Sequence, residues 1–525
     1  MNAIRDVSRR AIERFGLALL LMIGLPKACM ATDWTMFAFD MDQHANNVYE
    51  TAINAANVSA LVPVYSKHPP KTTTGPVFLS NVVTQAGTLD LLFVTTVDGT
   101  LLAINAGTGD TIWSQPTIQQ DFRVDAAPVV DPNRRFIYGY GADDRIHKYD
   151  VANGTEILDT VWPAISSLKA EHAGGALEIA TASSGHSYLY AVTTGYYGDG
   201  GDYQGHVTAI DLATGAWNVF NAACSNVTVH MISNGTVGVD DCATTRNGIW
   251  GRSGAVYDRR TDKLYVTTGN GPYTFVGAGF DWGDSILALH PDGSGAGGGI
   301  PVDSYTPINY ADLEFHDSDL GSASIVLLPT PSNSRIPHLG AVMGKDSQVR
   351  LLDLDDLSGQ GNAGGVGGEV QLMDALGLDT DIPTGHPAVW VDSHGDGSTW
   401  LFVPTPSSFV ALQLTVDAAG NPSLAVRWRT SGFSGASPVI ANDVVYYGAC
   451  GCAMDPRTGK VLWSYPMDVG CCFGYWPFLI VVNGRLYVTG SSLMMFELRD
   501  GIFKDGFETP STPNGRTATS SLTPL

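Results

Sequence analysis

An eleven-residue pattern recurs along this chain, and no other feature restricts its architecture as tightly. Ala103-Ile104-Asn105-Ala106-Gly107-Thr108-Gly109-Asp110-Thr111-Ile112-Trp113 and Ala453-Met454-Asp455-Pro456-Arg457-Thr458-Gly459-Lys460-Val461-Leu462-Trp463 share the form A-x-[D/N]-x-x-T-G-x-x-x-W. Weaker copies centre on Asp150, Asp211, His290, Asp353, Gln413 and Glu497, so that eight anchors follow one another at steps of 42 to 79 residues. A recurrence on this scale marks an array of supersecondary units. Each copy reads as a hairpin: the Asp or Asn side chain bonds the backbone that follows, and Gly takes the positive φ of the turn. The closing Trp has an apolar body and one N–H, which suits it to wedging between neighbouring sheets.

A second pair of short strands precedes most anchors. Ala127-Pro128-Val129-Val130 comes before Phe136-Ile137-Tyr138, Ala255-Val256-Tyr257 before Lys263-Leu264-Tyr265-Val266, and Ser437-Pro438-Val439-Ile440 before Val444-Val445-Tyr446-Tyr447. Short β-branched and aromatic runs between turn residues, with 60 Gly and 28 Pro and no sustained helical period, predict an all-β eight-bladed β-propeller, with seven blades as the alternative. The eighth unit ends after Leu498 without an outer strand, and Trp34-Thr35-Met36-Phe37 is the expected strand that closes the ring. Insertions at 195–206, 225–248, 272–284 and 357–385 become loops on the propeller faces, where function is usually carried.

Residues 1–31 read as an export leader: Arg5, Arg9, Arg10 and Arg14, then an apolar run from Phe15 to Leu25, then Cys29-Met30-Ala31 with cleavage after Ala31. Ser8-Arg9-Arg10-Ala11-Ile12 is a weak twin-arginine pattern. The apolar run is too short to span a bilayer, and no transmembrane segment is expected elsewhere. The propeller is expected over 32–508 and a disordered tail over 509–525, in a periplasmic or secreted protein. The formal net charge of −23 becomes −26 without the leader, which argues against a nucleic-acid partner, since phosphates are held by clustered Lys and Arg. An oxidising compartment makes Cys224, Cys242, Cys450, Cys452, Cys471 and Cys472 disulfide candidates. Cys224 with Cys242 is one expected bridge; the other four pair either across the chain or as the neighbours Cys471-Cys472. No Cys-x-x-Cys-His haem site occurs.

The repeat resembles the tryptophan-docking motif of the pyrroloquinoline quinone (PQQ) type propellers, found in quinoprotein alcohol dehydrogenases and in non-catalytic relatives. The stretch from Trp34 to Val58 resembles the opening of polyvinyl-alcohol-dehydrogenase-like members. The resemblance implies PQQ, with calcium or a lanthanide beside it, and an alcohol, small or polymeric, that gives up a hydride to the quinone. Without a haem in the chain, a separate electron acceptor such as a cytochrome is implied. Gly200-Gly201-Asp202-Tyr203-Gln204-Gly205-His206 resembles the segment carrying an acidic cation ligand, which places Asp202 there. Trp250-Gly251 through Thr267-Thr268-Gly269-Asn270 resembles the segment that puts Trp250 beneath the quinone and Asn270 on the cation. His316-Asp317-Ser318-Asp319 is similar to the segment with the catalytic base, which implies Asp317 as base and ligand and Asp319 as a further ligand. Gly344-Lys345-Asp346 places Lys345 on the quinone oxygens as a point charge. Cys471 and Cys472 resemble the neighbouring cysteines that pack on the quinone, although here they precede the last blade. Hard cations take oxygen ligands, so this is the donor set such a site needs.

Plainer readings stand beside these. Trp113 and Trp463 are packing residues. Thr-Gly-Asn-Gly around Asn270 is also good turn chemistry, and Gly-Asp-Gly-Gly-Asp around Asp202 also reads as a solvated loop. Asp312, Glu314, Asp317 and Asp319 crowd like charges, which if buried need a cation or raised pKa values, and on a surface need neither. A fold of this kind survives the loss of its site. The sequence therefore leaves two functions: an exported alcohol dehydrogenase, or a propeller that binds a protein or glycan without catalysis.

Overall fold

The computed structural model describes residues 31–117, 124–165, 171–195, 199–226, 231–232, 236–237, 242–274, 280–374, 385–405, 408–431, 436–448, 451–466 and 478–499. The leader, Cys450, Cys471, Cys472 and the expected tail lie outside these residues.

Eight antiparallel units of four strands form within residues 77–115, 129–165, 178–221, 256–305, 326–373, 388–431, 439–464, and 478–498 joined by 61–67, the third gaining Glu171–Ala173 and the seventh a parallel Asn46–Asn47 as a fifth strand. These are blades one to eight of a β-propeller. The repeat anchors fall at or beside the end of each third strand; only Gln413 sits inside its longer strand, Ser408–Val416. The two opposite faces of each blade bury alternate residues against the neighbouring blades, so the core is a ring of shared clusters rather than one centre.

The outer-strand aromatic explains the Thr-Gly turn. Trp113 of blade one donates its indole N–H to Val151 O at 3.1 Å and lies flat on Gly154 of blade two. Gly154 has φ +71°, and a Cβ there would stand 2.7 Å from the Trp113 ring. Trp428 of blade six repeats the arrangement on Gly459 of blade seven, donating to Pro456 O at 2.9 Å. Gly154→Ala is expected to lower stability by about 1–3 kcal/mol, the cost of overpacking a filled contact plus backbone strain. Urea unfolding measures it, and an unchanged midpoint would contradict the packing.

The ring closes differently from the sequence expectation. Leu61–Lys67, not Trp34–Phe37, is the outer strand of blade eight, antiparallel to Leu493–Leu498 with a bulge between Pro63 and Tyr65. Tyr65 takes the docking role there, lying on Gly109 of blade one and donating to Ala106 O at 3.1 Å. Closure pairs an edge that would otherwise face water.

Trp34–Asn47 instead crosses the centre of the ring and touches every blade in order. Trp34 exchanges two backbone hydrogen bonds with Phe78 of blade one, and Thr35 O accepts from Val130 of blade two. Asp40 and Gln43 approach Glu178 of blade three, and Asp42 pairs with Arg259 of blade four at 3.4 Å. His44 Nε2 lies 3.0 Å from Leu327 O of blade five, while His44 O accepts from Val389 of blade six. Asn46–Asn47 pairs in parallel with Ile440–Ala441 of blade seven, and Asn47 Nδ2 donates to Val481 O of blade eight at 2.8 Å. A cavity of about 20 Å³, room for one water, is left beside this segment between Trp34, Phe37, His386 and Phe478.

Glu178 is buried against this segment, and burial raises its carboxyl well above 4.5; Gln43 opposes the rise and Asp40 adds to it. The folded protein therefore holds a proton that the unfolded chain releases near pH 4.5, and stability falls as pH rises from there through the folded pKa. Glu178→Gln removes this dependence. Its melting temperature should exceed that of the wild type by a margin that widens with pH, as calorimetry across pH 4 to 8 would show; a margin constant with pH would contradict it.

Candidate functional site

Adjacent strands run in opposite directions, so links between second and third strands emerge on the same face as links from one blade to the next. That face carries Trp250 and residues 317–319, which lie in inter-blade links, and Asn270 and Lys345, which follow the second strands of blades four and five. The loop after Gly195 in blade three opens on it as well. Arg259, Asn442 and Asn483, which hold the N-terminal stretch, lie in links between first and second strands, on the opposite face.

Asn270 is the centre of the arrangement. Its carboxamide nitrogen donates to Asp199 Oδ2 and to Asp317 Oδ1, each at 3.1 Å. Its backbone N–H donates to Asp319 Oδ1 at 2.6 Å. Lys345 completes the group: its ammonium pairs with Asp319 Oδ2, lies 3.2 Å from Asp317 Oδ1, and donates to Asp317 O at 3.1 Å. The same nitrogen stands 5.3 Å from the centre of the Trp250 ring, close enough for a cation–π contact. Gly269 makes the cluster possible, because a Cβ there would meet Asp319 Oδ1 at 2.4 Å and Trp250 Nε1 at 2.7 Å.

The two acids of the Asp-x-Asp pair have different surroundings. Asp319 is buried, and burial raises its carboxyl pKa against the opposing pull of Lys345. Lys345 is likewise enclosed; burial alone would lower its pKa, but the Asp319 charge outweighs this and raises it. Behind them Asp284 is buried, its Oδ1 accepting from Leu320 N at 2.9 Å, and burial followed by the charge of Asp319 raises its pKa strongly. Asp317 is the open member: its side chain is 68% exposed. It caps the helix Tyr310–His316 in the left-handed region, with φ 53°. A non-glycine residue held there costs energy, and such positions gather at functional sites.

Asp202 does not join this group. Its Oδ1 accepts from Gln204 Nε2 at 3.3 Å, and the acid of the same loop that reaches Asn270 is Asp199, three residues earlier. Asp199 has φ 52° and accepts from Tyr203 OH at 2.7 Å. Counting back from Gly205 favours Asp202, whereas Asp199, with its left-handed backbone, is the acid that reaches Asn270; the first acid of Gly-Asp-Gly-Gly-Asp was the one visible signal. Arg246 and Glu314, paired at 2.6 Å, tie the inter-blade link before Trp250 to the helix before Asp317; Glu314 stood out in the acidic cluster, and Arg246 had no sequence signal. Of the cysteines, Cys224 and Cys242 form the expected disulfide. Cys452 is also disulfide-bonded, and Cys471 and Cys472 lie outside the described residues.

Among the described residues, no three His, Cys, Asp or Glu groups close on one point; the carboxylates instead surround the Asn270 amide and the Lys345 ammonium. Their chemistry nevertheless suits a hard cation. Two carboxylates face the Asn270 carboxamide and a third accepts from its backbone N–H, and a half-turn of the carboxamide replaces its N–H donors with an oxygen, an exchange that leaves its shape unchanged.

The family model described as outer membrane protein assembly factor BamB (PQQ_2) matches residues 64–218. No curated protein matches the chain in sequence. Among solved structures, the quinohemoprotein alcohol dehydrogenase ADHIIG from Pseudomonas putida HK5 is 13% identical, with a TM-score of 0.59 over 92% of this chain and 82% of that one. A europium-containing methanol dehydrogenase is 16% identical, with a TM-score of 0.60 over 87% and 90%. The quinohemoprotein alcohol dehydrogenase from Comamonas testosteroni is 15% identical, with a TM-score of 0.57 over 91% and 82%. With its eight blades, its docking aromatics and these likenesses, the chain has the fold of the PQQ-type β-propellers.

Proposed function

We propose that this protein is an exported quinoprotein-type dehydrogenase that oxidises an alcohol and passes the electrons to a separate acceptor. One observation carries the reading: the Asn270 carboxamide is held between Asp199 and Asp317, while Lys345 bridges Asp317 and Asp319 over Trp250. Asp199, Asn270, Asp317 and Asp319 would hold calcium or a lanthanide, and Trp250 and Lys345 would hold PQQ by its ring face and its oxygens. Bound there, the quinone would supply the acceptor for the hydride that leaves the carbinol carbon. Asp317, the exposed acid, takes the hydroxyl proton on its carboxylate. Asp319 stays buried and keeps Lys345 charged, and Lys345 in turn holds Asp317 through its carboxylate and its carbonyl. Asn270 locks both acids through its backbone and its side chain.

The experiment is reconstitution of the mature protein with PQQ and either calcium or a lanthanide. Quinone uptake is followed by quenching of tryptophan emission, and turnover by dye reduction with a panel of alcohols. Uptake without turnover would narrow the reading to binding alone. No uptake with either metal would leave a second reading, a non-catalytic scaffold, which the match of residues 64–218 to an assembly-factor family favours.

A further inference from the structure

The loop that delivers Asp199 rests on an ion pair removed from solvent. Glu171 and His206 are both fully buried, and Glu171 Oε1 lies 2.9 Å from His206 Nε2. The same Oε1 accepts the backbone N–H of Gln204 at 3.2 Å. On its other side, His206 Nδ1 faces Asn221 Oδ1 at 2.7 Å, and the His206 backbone N–H donates to Thr193 Oγ1 at 2.9 Å. Gln204 and His206 are therefore both anchored at Glu171, one through its backbone and one through its ring. Tyr203, the neighbour of Gln204, is the residue whose hydroxyl reaches back to Asp199. Glu171 stands in the short strand Glu171–Ala173 opposite Gly195, the residue from which the loop departs. Glu171 thus meets both ends of the loop, its start through strand pairing with Gly195 and its end through its carboxylate.

Withdrawing two charges from water is costly, and an apolar pair of the same shape is often at least as stable, so a buried ion pair is weak evidence for stability. Here it lies beneath the loop that brings a carboxylate to Asn270. We infer that Glu171 and His206 are positioning residues that hold Asp199 against Asn270, an inference that rests on the cation site proposed above.

Terbium(III) tests it, as a hard cation taken up by oxygen ligands and excited through a nearby tryptophan. Titrated into the mature protein, it reports affinity. Its emission lifetime in H2O against D2O reports how many waters it carries. Glu171→Gln and His206→Gln are each expected to weaken terbium binding about 10–100-fold, the range for partners one shell behind the ligands, and to add water to the bound ion as Asp199 withdraws. A role in stability alone would lower the melting temperature and leave the water count unchanged. Asp199→Ala is the reference. Where a single variant fails to fold, the paired Glu171→Gln/His206→Gln variant, which buries no charge, takes its place. Affinity and water count that hold in Glu171→Gln but change in Asp199→Ala would overturn the positioning role and leave the cation site standing. Terbium binding indifferent to Asp199, Asp317 and Asn270 would overturn the cation site, and this inference with it.

Discussion

Asp317→Asn is expected to lower kcat for dye-linked alcohol oxidation by about 10²–10⁴-fold, the share typically carried by a positioned acid–base group, with little change in stability. The variant separates chemistry from folding unusually well. Asn matches Asp in shape and tolerates the left-handed backbone that residue 317 adopts. The side chain is mostly exposed, so no desolvated charge is stranded, and the unfolding free energy should stay within about 0.5 kcal/mol. Lys345 keeps Asp319 and the residue 317 carbonyl as partners. Turnover by the reconstituted variant at the wild-type rate would remove Asp317 from the role of base.

Asp319→Ala should behave in the opposite way, with a loss of about 3–5 kcal/mol in unfolding free energy. The substitution leaves the Lys345 ammonium enclosed without its principal counter-charge and the Asn270 backbone N–H without its acceptor. Lys345 would then turn to Asp317 alone, which is exposed and already shared with Asn270. Guanidinium unfolding measures the loss, and the double variant Asp319→Leu/Lys345→Met provides the control. If the penalty comes from the stranded charge, the double variant should lose less than Asp319→Ala by itself. A single variant as stable as the wild type would mean that Asp319 and Lys345 do not form the buried pair.

The eight blades and the docking contacts were legible because both depend on local chemistry. A Thr-Gly turn needs a positive φ wherever it sits, and the Trp at the repeat's end needs a flat, side-chain-free partner such as Gly154. The closing strand was misplaced for a reason of the same kind. Trp34–Phe37 and Leu61–Lys67 are both short and β-rich, and period alone does not say which one pairs with Leu493–Leu498, more than 400 residues away in sequence. The earlier stretch instead supplies a series of single contacts, one or two per blade, that follow no sequence period.

The site divides along similar lines. Asn270 and Lys345 closely follow second strands, and Trp250, Asp317 and Asp319 lie in the links between blades on the same face, so their approach follows once the blades are placed. Asp199 comes from a loop, and two acids three residues apart competed for one position.

Residue order alone thus determined a propeller of repeated four-stranded units, the turns between their strands, and the kinds of side chain available on one face, while the folded ring fixed the blades at eight. Hydrophobic period and turn chemistry are short-range properties, written into neighbouring residues. Which strand closes the ring, which acid of the Gly-Asp-Gly-Gly-Asp loop faces Asn270, and which acid of the Asp-x-Asp pair is buried were decided only by the folded ring. Each depends on free energy shared between segments far apart in the chain: edge pairing for Leu61–Lys67, the Glu171–His206 anchor for Asp199, and desolvation against Lys345 for Asp319.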